Sequence, residues 1–217
     1  MTAETIRQLQ AATLKLINSQ NIKEAGEVIL TNAEVLFHAD ASAYYDLVRK
    51  RHPDSIVLIE MRLDLLERCR GDNIEEAIAN YEPLFVLWNA IVRARAHPDS
   101  EREGAAEVVH LCEEALDRVR HLRLGPPPIC GWLLTVLAEA LLQNTRGSRV
   151  DNVELALIHL RTCVGWVPPL SDFQQAEAYR LLGDAYLHRS LGDVIENRSY
   201  AREAYERALT FIEQQPP

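Results

Sequence analysis

The sequence is short of glycine, of clustered cysteine and of basic runs, and each shortage removes a class of explanation. Nine glycines in 217 residues leave little of the punctuation a many-stranded fold needs, and no β-branched run alternates strictly with polar residues. The four cysteines, Cys69, Cys112, Cys130 and Cys163, lie far apart and form no Cys-x-x-Cys pair. That spacing disfavours a zinc site or a disulfide framework and suits reduced, buried thiols. Lys and Arg never form a stripe with interleaved aromatics and the formal charge is −9, so no nucleic-acid partner is expected. Long apolar runs are missing too. Met1 to Leu16 mixes polar and apolar residues at helical spacing, unlike a signal peptide or a membrane span. The expected setting is the cytoplasm, with no membrane contact.

Catalytic signatures are equally scarce. There is no His-Glu-x-x-His, no Gly-x-x-x-x-Gly-Lys-Ser/Thr phosphate loop and no Gly-x-Ser-x-Gly elbow. Glu107-x-x-His110 has the spacing used by carboxylate-bridged di-iron bundles, but no second such pair accompanies it. An all-α metal-binding protein or enzyme using the Glu107 and His110 region is the alternative reading. The main expectation is no enzyme activity, no cofactor and no metal.

What is present is helical periodicity. Apolar residues recur at three and four spacing almost throughout, which predicts an all-α chain of about ten to eleven helices. A first helix is expected over Thr2 to Asn18 with Ile6, Leu9, Thr13, Leu14 and Ile17 inward, a second from Ile22 to Phe37, and a third capped by Asp40 or Ser42. The third ends before His52-Pro53, and a fourth from Asp54 to Arg70 carries Ile56, Ile59, Leu63 and Leu66 inward. Gly71-Asp72-Asn73 stops that helix and caps the next. Pro83 then either kinks one helix from Ile74 to Ala96 or starts a new one, and a break is expected. A long helix capped by Asp99 or Ser100 runs to about Arg123. Leu124-Gly125-Pro126-Pro127-Pro128 is a stiff, helix-incompatible elbow. It divides the chain into residues 1–124, an N-terminal helical region with degenerate repeats, and residues 125–217, two regular helix pairs.

Those two pairs repeat each other forty-five residues apart. Gly147 recurs as Gly192, Asn152 as Asn197, Ala156 as Ala201, and Leu137, Leu141 and Leu142 as Leu182, Tyr186 and Leu187. Such a period marks stacked supersecondary units that bury their apolar faces against neighbours. In the later unit, Tyr179-x-x-Leu182-Gly183-x-x-Tyr186 is followed by Ala201-x-x-x-Tyr205-x-x-Ala208. This resembles the tetratricopeptide repeat (TPR), which implies an αα superhelix and a role in protein binding. The segments Arg146 to Asn152 and Leu191 to Asn197 lengthen the link between paired helices. That Gly-x-x-x-x-Asn link is similar to repeats in bacterial proteins carrying a caspase-like CHAT protease domain. Ile22-Lys-Glu-Ala, Asn32 to Asp40 and Leu65-Leu-Glu-Arg-Cys-Arg70 are similar to the leader of the same proteins, with Asn32-Ala33 in place of their His-Pro. The CHAT domain itself is absent from this sequence, so the resemblance implies either the detached sensor or adaptor part of such a protein or a stand-alone relative, with no protease nucleophile.

The resemblance also implies where a partner sits. In tetratricopeptide arrays the first helix of each pair lines the concave groove, which assigns Trp132, Thr135, Glu139 and Gln143 from one unit and Glu177, Arg180, Asp184 and His188 from the next. Glu139 and Asp184 give the inner part an acidic character, so a basic or mixed peptide, helix or loop is the expected protein partner. Trp132 is expected to pack, and Trp88 and Trp166 read as core. The helix from Ser199 to Glu213 carries Ala201, Tyr205, Leu209 and Ile212 on a face that a further repeat would cover, which points to self-association or further sequence.

Overall fold

The computed structural model describes residues 1–51, 56–71, 73–96, 101–121, 129–165 and 171–214. Among them it is all helix: α1 (Ala3–Asn18), α2 (Ile22–Thr31), α3 (Ala33–Leu36), α4 (Ala41–Arg51), α5 (Ile56–Gly71), α6 (Ile74–Ala96), α7 (Glu101–Arg120), α8 (Ile129–Gln143), α9 (Arg149–Val164), α10 (Asp172–His188) and α11 (Val194–Glu213). None of these helices is long and apolar enough to cross a membrane. Trp166, Pro168, His52, Pro53, Asp54, Asp72, Asp99, Ser100 and the elbow from Leu124 to Pro128 lie outside the described residues.

Two compact units emerge. The first comprises Met1–Val86 with Val119–Ile129, and the second Leu87–Arg118 with Cys130–Pro217. In the first, Thr2 caps α1 by accepting from the Thr5 amide at 3.1 Å, and Asn21 caps α2 by accepting from Glu24 at 2.9 Å. The buried face of α1 is Leu9, Ala12, Thr13 and Leu16, while Ile6 and Leu14 are exposed. The expected face was therefore rotated. The expected second helix breaks at Asn32, whose side-chain amide donates to the Val28 carbonyl at 2.8 Å and closes α2 before α3 begins. Helix α5 packs against α1, α2 and α4. It buries Ile59, Met61, Leu63, Leu65, Leu66 and Cys69, apolar positions on all sides, as a central helix does.

The expected break at Pro83 does not occur. Helix α6 runs through it without interruption. The missing amide and the ring clash cost about 3 kcal/mol. Tyr81, Leu84, Phe85, Leu87 and Ile91 are all buried around it, and each buried side chain of that size contributes about 1.5–3 kcal/mol. Packing outweighs local propensity here.

In the second unit the forty-five-residue repeat appears as repeated geometry. Gly147 and Gly192 have φ of 78° and 82°, the only positive values among the described residues. Glycine alone adopts this region without a Cβ penalty. Ser148 and Asp193 then cap α9 and α11. Asn152 donates to the carbonyls of Asn144 and Arg146, both at 3.1 Å, and Asn197 donates to that of Leu191 at 2.9 Å. Much of each supposed link is thus the first turn of the following helix, and α11 starts at Val194 rather than Ser199. Arg161 reaches the Tyr186 hydroxyl at 2.7 Å, and Arg189 binds both Glu154 oxygens at 2.7 and 3.0 Å, joining α9 to α10.

Candidate partner-binding face

Helix α10 begins with a reciprocal cap in which Ser171 and Gln174 bond each other's backbone amides. From that start the i, i+3 and i, i+4 spacing brings Glu177, Arg180 and Asp184 onto one exposed side. Arg180 is clamped between them. Its Nε and Nη2 reach Glu177 at 3.0 and 2.7 Å, and its Nη1 reaches Asp184 at 2.7 Å. Tyr205 of α11 donates to the other Asp184 oxygen at 2.6 Å. The Arg180 pKa is raised, chiefly by the Glu177 hydrogen bond, with Asp184 and Glu139 adding to it. Tyr205 is pushed up to about 12 by burial and by its bond to Asp184.

Glu139 of α8 belongs to the same electrostatic neighbourhood, since its charge reaches Arg180. Its own partner is Arg95 of α6, at 2.6 Å. Three carboxylates, Glu139, Glu177 and Asp184, thus face two guanidiniums, Arg95 and Arg180. One negative charge remains uncompensated, and the acidity expected from the residue types is mostly neutralised in place.

The other expected residues are arranged less uniformly. Trp132 is half-buried with its ring centroid 6.0 Å from that of Trp88, so it packs. Gln143 and His188 are exposed. Thr135, expected to face outward, is buried: its hydroxyl bonds the Gly131 carbonyl at 2.9 Å and lies 3.2 Å from Cys163 Sγ. One turn of α8 thus faces α9 instead of the open side. Arg95 was missed because the expected break at Pro83 left its register undefined, and Tyr205 was placed on the outer face of the last helix instead of at Asp184.

Glu107 and His110 are both exposed on α7, and no group of three or more potential metal ligands occurs among the described residues. All four cysteines are buried and none forms a disulfide. Burial pushes the Cys112 thiol up to about 12 and raises that of Cys163, the reverse of what a thiolate nucleophile needs. Comparison with protein-family models, with curated proteins and with solved structures found no match.

Proposed function

We propose that the chain is a protein-interaction module of the tetratricopeptide type, holding a partner peptide or helix against the face formed by α8 and α10. The observation that carries this reading is the Glu177–Arg180–Asp184 clamp with Glu139 beside it. Glu139 and Asp184 occupy equivalent positions of consecutive repeats. Each is held in place by bonds within the protein, so little ordering entropy opposes partner binding. A residual negative charge favours a partner with a basic side chain among apolar ones. In the wider reading the module is the sensor or adaptor part of a CHAT-protease-type system, as the sequence resemblance implies.

The test is selection of peptide binders from a displayed helical library, followed by titration against Arg180→Glu and Asp184→Lys. Binders that lose at least about tenfold affinity, roughly 1.4 kcal/mol, on both variants support the assignment. Binders indifferent to both would place the binding surface elsewhere.

A further inference from the structure

A face of α11 beside its buried stripe of Asn197, Ala201, Ala204 and Ala208 carries arginines towards one end and glutamates towards the other, with apolar residues among them. Residues 198, 202, 205, 206, 209, 212 and 213 follow the spacing i, i+4, i+7, i+8, i+11, i+14 and i+15, which places them on one side of a helix. Arg198 and Arg202 occupy its N-terminal half and Glu206 and Glu213 its C-terminal half, with Tyr205, Leu209 and Ile212 between. Leu209 is 57% exposed and Ile212 is 54% exposed. Beside them an open groove of about 500 Å³ runs between α10 and α11, lined by Phe173, Ala176, Tyr205, Ala208, Leu209 and Ile212 among others.

The preceding repeat shows what covers such a face. Val153, Leu157 and Leu160 of α9 are the forty-five-residue counterparts of Arg198, Arg202 and Tyr205, and they are 2%, 1% and 0% exposed. Helix α10 packs on α9. On α11 two of these three positions have become arginine; Arg202 pairs with Glu206 of its own helix at 3.6 Å, so an ordinary apolar repeat helix would bury Arg198 there without a partner. A helix that brings a carboxylate to Arg198 and an arginine to Glu213 avoids that cost. Helix α11 itself, turned end for end, is such a helix.

We infer that α11 is a self-association surface, pairing antiparallel with α11 of a second copy about a two-fold axis. With Tyr205 and Glu206 opposite one another across the axis, Arg198 lies opposite Glu213 of the second copy and Arg202 opposite its Leu209. The two-fold repeats each contact, as a closed dimer requires. Val194, 60% exposed at the start of α11, then approaches the groove mouth of the second copy. This goes beyond the α8 and α10 reading; Glu177 and Arg180 of that face line the same groove, and the variants that test the inference substitute neither.

The experiment is sedimentation equilibrium of the full chain from about 1 μM to about 1 mM, a range that spans weak to moderate affinities. Concentration-dependent dimerisation is expected. Leu209→Glu, Arg198→Glu and Glu213→Arg should each weaken it at least about tenfold, and Arg198→Glu combined with Glu213→Arg should restore it. All three positions are on the surface, and circular dichroism checks that helix content is retained. A chain monomeric at every concentration, a dimer indifferent to Leu209→Glu, or a charge reversal that restores nothing would each overturn the proposal.

Discussion

Gly183 and Tyr205 form a pair in which each residue explains the other. A methyl group on Gly183 would lie 2.5 Å from the Tyr205 ring. That ring is pinned at its far end by the 2.6 Å bond to Asp184, so it cannot swing aside cheaply. At the equivalent positions the preceding repeat carries Ala138 and Leu160, both fully buried. Gly183→Ala gains about 1 kcal/mol of helix propensity and meets an overpacking cost of about 1–3 kcal/mol. The expected outcome is a net loss, while Gly183→Ala with Tyr205→Leu returns to within about 1 kcal/mol of the wild type. Urea unfolding of the two variants measures this. A double variant no better than the single would show that the pair is not volume-compensated.

Arg62 poses the opposite problem, a cation where packing alone would serve. It is 0% exposed; its Nη2 donates to the Ser19 carbonyl at 2.6 Å and its guanidinium sits 4.5 Å from the Phe85 ring centroid. Its Nε and Nη1 have no hydrogen-bond partner. Burial, the largest influence, lowers its pKa to about 10, well below that of a free guanidinium. The unfolded chain therefore binds this proton more tightly than the fold does. The resulting penalty is present below pH 10 and is relieved as pH rises above it towards the range of a free guanidinium. At neutral pH, Arg62→Met is expected to change stability by less than about 1.5 kcal/mol in either direction, because it removes the buried charge and keeps the volume. Arg62→Ala should cost about 2–4 kcal/mol through the cavity it leaves. Equal losses in the two variants, read from urea midpoints, would mean that the charge itself is needed.

At the level of elements, what was legible from sequence depended on whether the signal was local. The Gly147 and Gly192 turns were visible because a positive φ selects a residue type directly. The caps at Thr2 and Asn21 were not read as caps, although each is a Ser/Thr/Asx-type residue immediately before its helix. Helix α6 was misread because the cost of Pro83 is local, whereas the burial of Leu84, Phe85 and Ile91 that outweighs it is spread across the fold. The α8 and α10 face was legible in part. Glu177, Arg180 and Asp184 follow from helical spacing alone, but Thr135 faces α9 and Arg95 arrives from a helix remote in sequence. Between the two repeat links, the hydrogen bonds rank the asparagines. Asn152 holds two carbonyls at 3.1 Å, whereas Asn197 holds one at 2.9 Å and shares its oxygen with Arg189 at 3.5 Å. Asn152→Ala should therefore cost about 1–2 kcal/mol and Asn197→Ala about half of that. Thermal melts of the two variants give the order, and the reverse order would discount the hydrogen-bond argument.

Across the whole molecule, the four thiols act as built-in reporters of opening. Cys69 lies in the first compact unit and Cys112, Cys130 and Cys163 in the second, all with at most 4% exposure. Reaction with a thiol reagent at pH 8 requires a thiolate that the reagent reaches. Cys112, held up at about 12, meets neither condition until its surroundings open. Labelling rates under native conditions therefore follow the free energy of local or unit-wide unfolding. Gly183→Ala, which strains the second unit, is expected to accelerate labelling of Cys163 and Cys130. Each 1.4 kcal/mol of destabilisation corresponds to about a tenfold faster rate when reclosing outruns reaction. Arg62→Ala is expected to act on Cys69 in the same way, since both residues belong to α5. Mass spectrometry after timed labelling separates the four sites. If Gly183→Ala left Cys163 as slow as in the wild type, the close seam between α10 and α11 would not be supporting the α8–α9 pair on which the repeat stacks.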